Sequence, residues 1–182
     1  WDADEQLASQ WRAGSVLCKV STGWLGAVQA WRASLGAVPI RRICHNLRLV
    51  DDNVVRSICS ACPSLTALDV GTCRGITDAI IEHVVSVMPL RALNLSCCEA
   101  TPGPTAIAAI AQCGSLRELD LSGNWNALGA LGIASLTSLS SLRLQSLNLT
   151  GSDVWLTDAC VCALAVCSSL EALFLSSNLA LP

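Results

Sequence analysis

The feature that most constrains the fold of this chain is a leucine pattern that recurs along most of its length. The clearest copy runs from Leu116 to Asn124 and reads L-x-x-L-x-L-x-x-N, where x is any residue. A unit of this size cannot bury its own leucines, so neighbouring units are expected to stack into a solenoid. The copies begin 21, 25, 26, 23 and 31 residues apart, and they align as Cys44/Leu47/Leu49, Leu65/Leu68/Val70, Leu90/Leu93/Leu95, Leu116/Leu119/Leu121, Leu139/Leu142/Leu144 and Leu170/Leu173/Leu175.

Helical segments are predicted between the copies, over residues 53–61, 77–87, 104–112, 128–136 and 157–166. Several begin with residues that favour a helix start, such as Asp51, Thr77 and Pro104. A side-chain oxygen can accept a hydrogen bond from a free amide there, and proline loses no hydrogen bond in the first turn. The fold class predicted is therefore an α/β solenoid, with parallel strands on the concave face and helices on the convex face.

Cysteine replaces asparagine at the ninth position of two copies, at Cys73 and Cys98. Together with Cys62-Pro63-Ser64-Leu65 and Gly75-Ile76-Thr77-Asp78, these residues resemble the cysteine-containing subclass of leucine-rich repeats. The resemblance covers residues 44–182, and it implies a solenoid that binds proteins.

The first 40 residues lack the repeat and have apolar residues at three- and four-residue steps, which indicates helices that end before Pro39. We therefore divide the chain into a helical N-terminal region, 1–40, and a solenoid of about six repeats, 41–182. The chain begins with Trp1 and ends with Pro182 directly after a repeat strand. We expect it to be a fragment or processed product, with further chain or a partner covering the last repeat.

The segment from Val16 to Val28 resembles the second half of an F-box. The matching residues are Val20, Ser21 and Trp24, with apolar support from Val28. The resemblance implies that these residues contact a Skp-type adaptor and that the repeats recognise the substrate of a ubiquitin ligase. The Leu-Pro-rich first helix of an F-box is absent, and an ordinary helical cap that shields the first repeat is the alternative.

Eleven cysteines follow the repeat more closely than any pairing scheme, so we expect reduced core thiols and no disulfide. Cys59 and Cys62 have C-x-x-C spacing, but other repeats place aliphatic residues where Cys59 lies, and the interpretation favoured is a buried helix position. His45 and His83 belong to separate repeats. We predict no metal site, no cofactor and no catalytic residues, and hence no enzyme.

Charge and hydropathy exclude two further classes. The net charge of −3 arises from few charges of both signs, which argues against nucleic-acid binding. Every apolar stretch is interrupted well before the roughly 18 residues that a membrane span needs. The expected location is intracellular, most simply cytoplasmic.

Residues between the strand leucines are predicted to face outward and to bind a protein partner. The Asp120–Arg143 pair should be lateral neighbours beside Glu118, and the loop residue Trp155 is a further candidate contact. A permanent scaffold subunit of a large assembly is the alternative function. The first outward column comprises Arg48, Asp69, Asn94, Asp120, Arg143 and Phe174, and the second comprises Asn46, Ala67, Ala92, Glu118, Ser141 and Ala172.

Overall fold

Six short strands form one sheet in which every neighbouring pair is parallel and the strand order follows the chain. The computed structural model describes residues 42–44, 50–98, 102–124, 143–151 and 167–175, with the single positions 139, 162, 164 and 165. The strands are β1 (Arg42–Cys44), β2 (Ala67–Asp69), β3 (Ala92–Asn94), β4 (Glu118–Asp120), β5 (Ser146–Asn148) and β6 (Ala172–Phe174). We number coils 1 to 6 by their strands.

Helices follow the first three strands. They are α1 (Asp52–Ala61), α2 (Asp78–Val87) and α3 (Pro104–Ile110). The Asp51 side chain caps α1 by accepting a hydrogen bond from the Val54 amide at 3.0 Å, as the sequence predicted. Pro104 occupies the first helical position of α3, where its missing N–H costs no hydrogen bond.

One continuous core lies between the sheet and the helices. Leu68 and Leu93 are fully buried at the centre of their strands, and Ile80, Val84 and Ile107 are buried on the facing helices. Parallel strands that alternate with helices around this core confirm the predicted α/β leucine-rich-repeat solenoid.

Aspartates at the first helical position link successive coils. The Asp52 carboxylate accepts hydrogen bonds from the Thr77 amide at 2.9 Å and from the Thr77 hydroxyl at 2.6 Å. One coil later, Asp78 accepts from the Gly103 amide at 2.8 Å and from the Thr105 hydroxyl at 2.7 Å. The Thr77 side chain therefore bonds the preceding coil and makes no cap for its own helix, contrary to the prediction.

The predicted register is wrong in coil 1. Ile43 pairs with Leu68, so the strand lies four residues earlier than the predicted Cys44/Leu47/Leu49 frame. Cys44 takes the place opposite Asp69 that we had assigned to Arg48. Ile43 is a β-branched residue, which favours a strand as well as leucine does. Arg48 itself lies outside the described residues.

The predicted register is also wrong in coil 5. Leu147 pairs with Leu119, whereas Leu139, the predicted first strand leucine, lies in a helix. Asn148 replaces Arg143 in the first column, and Ser146 replaces Ser141 in the second. The prediction that Asp120 and Arg143 are lateral neighbours is therefore wrong, because Asp120 pairs with Asn148.

The cause is that two overlapping frames share Leu144. The frame 139/142/144 and the frame 144/147/149 both satisfy L-x-x-L-x-L, but only the second is followed by a glycine two residues later. That glycine, Gly151, has φ +68°, the same value as Gly123 at the equivalent position of coil 4. The turn after the strand thus selects the second frame.

The corrected strands are more evenly spaced than the predicted ones. They begin at residues 42, 67, 92, 118, 146 and 172, so successive steps are 25, 25, 26, 28 and 26 residues. The longest step precedes β5, and the predicted insertion before the last repeat was a consequence of the wrong frame. Trp155, its proposed contact residue, lies outside the described residues.

Other predictions also fall outside the described residues. These are the helices of region 1–40, the residues Val20, Ser21, Trp24 and Val28, and the helix over 128–136. In the predicted 157–166 helix, Cys162 and Leu164 are described and both are helical.

We predict that Leu119→Ala lowers the free energy of unfolding by about 2–5 kcal/mol, because it empties a buried position at the centre of the sheet. Chemical denaturation measures the change. Glu82→Gln on the exposed side of α2 is the control and should change stability by less than about 0.5 kcal/mol. Equal effects of the two substitutions would contradict the register of β4.

Candidate functional site

The surface most suited to binding is the concave face of the sheet, where outward side chains of the strands form two columns. Register pairs each residue with its counterpart on the next strand, about 4.8 Å away. The first column is Asp69, Asn94, Asp120, Asn148 and Phe174, and the second column is Ala67, Ala92, Glu118, Ser146 and Ala172.

Polar residues of the first column fold back onto the turns that follow their strands. Asp69 Oδ1 accepts from the Gly71 amide at 3.0 Å, and Asn94 Oδ1 accepts from the Ser96 amide at 2.8 Å. The same bond recurs from the Ser122 amide to Asp120 and from the Thr150 amide to Asn148, at 2.9 and 3.0 Å. In each case a side-chain oxygen accepts a hydrogen bond from the backbone amide two residues later, as in an Asx turn.

Asp120 accepts hydrogen bonds through both of its carboxylate oxygens. Its Oδ1 also accepts from the Ser122 hydroxyl at 2.6 Å, and its Oδ2 accepts from the Asn148 side-chain amide at 3.2 Å. The outward position of Asp120 in the leucine pattern predicts a binding residue only and does not reveal this structural role. The signal was present, because Asp or Asn stands two residues before Gly, Ser or Thr in four successive coils.

The second column and the residues before it carry further charges of the concave face. Ala67 and Ala92 are buried, and Glu118 is half-buried and accepts no hydrogen bond from the described residues through its carboxylate. Arg91 and Arg117 precede β3 and β4 as lateral neighbours, and the Arg117 amide donates to the Arg91 carbonyl. Sequence reasoning overlooked this pair because arginine at that position is not part of the leucine pattern.

One residue in each turn has a left-handed backbone conformation. The positions are Thr72, Cys97, Gly123 and Gly151, with φ between 53° and 68°. The amides of the first three donate to carbonyls of the next coil, for example Gly123 to Thr150 at 2.8 Å. The turns therefore extend the hydrogen bonding between coils beyond the strands.

The side chain at the ninth repeat position forms a hydrogen bond to the preceding coil, both in coil 3 and in coil 4. Asn124 is buried, its amide group donates to the Leu95 and Leu121 carbonyls at 2.8 and 3.0 Å, and its oxygen accepts from the Cys98 amide at 2.9 Å. In coil 3 the Cys98 thiol donates instead to the Val70 carbonyl at 3.4 Å. Cysteine thus makes the bond to the preceding coil that asparagine makes in coil 4.

Most of the described cysteines are core residues. None of the eight whose thiols are described forms a disulfide, and six of them are buried, while Cys97 and Cys162 are exposed. Burial in apolar surroundings raises the pKa of Cys59 to about 11 and that of Cys98 to about 12. Burial also raises the pKa of Cys167. These groups are protonated at neutral pH and are poor nucleophiles.

Within the described ranges, no three His, Cys, Asp or Glu residues are grouped to hold a metal ion. His83 is half-buried in α2. The helices that the structure describes include none with the length and apolarity to cross a membrane.

A family profile described as "Leucine Rich repeat" matches residues 61–83 and 112–136. The matched segments contain β2 and β4, so two repeats are detected, at two of the four coils where structure and predicted register agree. Neither match includes the segment from Val20 to Val28. Comparison with curated proteins gives no match. Repeats of this kind generally mediate protein–protein interaction and are typically non-catalytic.

We predict that all eleven cysteines are free and that Cys97 and Cys162 are alkylated at pH 8 far sooner than Cys59 and Cys98. With pKa values of about 11 and 12, only roughly 10⁻³ and 10⁻⁴ of those two buried thiols would be ionised at pH 8. Timed alkylation with mass spectrometry measures the order, and thiol counting in denaturant without reductant measures the total. Several oxidised pairs, or equal rates at Cys59 and Cys97, would refute the prediction.

Proposed function

We propose that this chain is a non-catalytic protein-interaction module that binds its partner on the concave face of the sheet. The supporting observation is the unbroken parallel register, which places outward side chains from five coils in two columns. Extended concave surfaces of this kind are what solenoids use for binding.

Contact is assigned to a strip that runs from Glu118 to Phe174. Glu118 supplies a carboxylate without a described partner, and Phe174 supplies a half-buried aromatic ring in the first column. A protein that presents a basic group beside an apolar side chain would suit this strip. Asp69, Asn94 and Asp120 are weaker candidates, because a side-chain oxygen of each accepts a hydrogen bond from the following turn.

At the finer level, we propose that the chain is the substrate-recognition part of an F-box-type ubiquitin ligase. This rests on the resemblance at Val20, Ser21, Trp24 and Val28, and on their position directly before the repeats. These residues would contact a Skp-type adaptor and leave the concave face for the substrate.

The alternative is a scaffold subunit built permanently into a large assembly. The composition favours it, with 52% hydrophobic and only 14% charged residues. The described surface favours it less, since Val87 is the one large hydrophobic residue there that is strongly exposed. A permanent subunit would therefore need its apolar contacts elsewhere than on the described surface.

An adaptor pull-down separates the two functions. We expect the purified chain to retain a Skp-type adaptor and Trp24→Ala to lose it, while Trp31→Ala, which lies outside the segment, retains it. Failure of the intact chain to bind the adaptor would reject the ligase function and favour the scaffold.

We predict that Glu118→Gln with Phe174→Ala weakens binding of a captured partner at least about tenfold, which corresponds to roughly 1.4 kcal/mol. Partners captured by the wild-type chain would be identified by mass spectrometry, and their dissociation constants would be measured for each variant. Glu82→Gln on the convex side is the control. Asp120→Ala should lower both binding and stability, because it removes three hydrogen bonds. Unchanged binding by the double variant would place the interface on another surface.

A further inference from the structure

Two neighbouring positions of the solenoid depart from the repeat. Cys59 lies six residues before the first leucine of the copy that contains β2, and at the equivalent positions before β3, β4 and β6 the chain has aliphatic residues instead. These are Val84, Ile110 and Leu164, and all three are buried. At the position of Met88, two residues before the strand leucine, the equivalents are Pro63, Gly114 and Ser168, and the chain contains no other methionine.

The two departures contact each other across coils. Cys59 Sγ donates a hydrogen bond to Met88 Sδ at 3.4 Å, and both side chains are buried. Cys62, three residues after Cys59, is the C-cap residue of α1 and is also buried. Cys62 lies close enough to Cys59 to influence its ionisation. The Cys59 thiol therefore lies near both a second cysteine and a thioether at the end of α1.

We propose that Cys59, Cys62 and Met88 form a binding site for a single Cu(I) ion. Thiolate and thioether sulfur are soft ligands that favour Cu(I) over hard divalent cations. The proposal is independent of the protein-interaction function. It also explains why the C-x-x-C spacing occurs in coil 1, while coil 3 has Cys113 without a cysteine at Ile110.

Binding would be a ligand exchange without oxidation or reduction. The metal forms bonds to two thiolate sulfurs and one thioether sulfur, and the two thiol protons leave to solvent. The bound site has a net charge of −1, and Arg56 lies near enough to Cys59 to stabilise negative charge there. Burial keeps the pKa of Cys59 at about 11 without metal, so metal binding at neutral pH should release the proton of this thiol.

At the Cys59–Met88 pair, metal binding requires only a small adjustment. Metal–sulfur bonds of about 2.3 Å in a trigonal arrangement place the sulfurs roughly 4 Å apart. The Cys59–Met88 separation of 3.4 Å would therefore widen by about half an ångström. Methionine has three rotatable bonds and can make this change by rotating its side chain.

The test is anaerobic titration of the full chain with Cu(I) alone, in competition with a chromophoric Cu(I) chelator and below one ion per chain. We expect one tight site, with Cys59 and Cys62 protected from alkylation before any other cysteine. Cys59→Val, which restores the aliphatic pattern of the other coils, should weaken binding by at least about 100-fold, and Met88→Leu by about tenfold or more.

Controls must separate this site from the other thiols. Cys113→Ser and Cys167→Ser remove buried cysteines from the position of Cys62 in other coils and should leave the affinity unchanged. Circular dichroism melting confirms that each variant is folded, and Met88→Leu conserves volume closely enough to be tested if Cys59→Val is not folded. Equal Cu(I) affinity in Met88→Leu and wild type, or protection that begins at other cysteines, would overturn the proposal and leave the sulfur contact as core packing.

Discussion

Burial of each strand leucine by the coils on either side is the interaction on which the rest of this structure depends. Leu68, Leu93 and Leu119 lie side by side in register and are almost completely inaccessible to solvent. Burying one such side chain stabilises the fold by about 1.5–3 kcal/mol. A shift of one residue would expose a whole row, so the leucines fix the register. Every outward column is a consequence of that register.

The sequence predicts this arrangement wherever only one frame fits the pattern. Coils 2, 3, 4 and 6 were placed correctly to the residue. Coil 5 was not, because Leu144 belongs to two frames and counting leucines cannot choose between them. The choice depends on backbone conformation, since the turn requires φ +68° and Gly151 provides it. The register of coil 1 was predicted wrongly for a related reason, because Ile43 occupies the centre of the strand in place of a leucine.

In the candidate site, the sequence predicts where the outward residues lie, but it does not predict which hydrogen bonds their side chains form. Sequence alternation identified Asp69, Asn94 and Asp120 as outward residues, and the structure agrees. It did not reveal that their oxygens hold the turns that follow, because that role depends on a hydrogen bond two residues away. In a chain with few charges, this leaves recognition to side chains outside the Asx pattern. Glu118 and Arg91 are the clearest examples among the described residues.

Asp52 and Asp78 each accept hydrogen bonds from the coil that follows them, and these bonds have a mechanical consequence. Each carboxylate ties the first turn of one helix to the start of the next, so α1, α2 and α3 are joined along the convex edge. The first residue of α3 is Pro104, whose side chain can neither accept nor donate a hydrogen bond. Within the described residues, the carboxylate links therefore stiffen the convex edge from α1 to α3, where bending would have to break charge-assisted hydrogen bonds as well as core contacts.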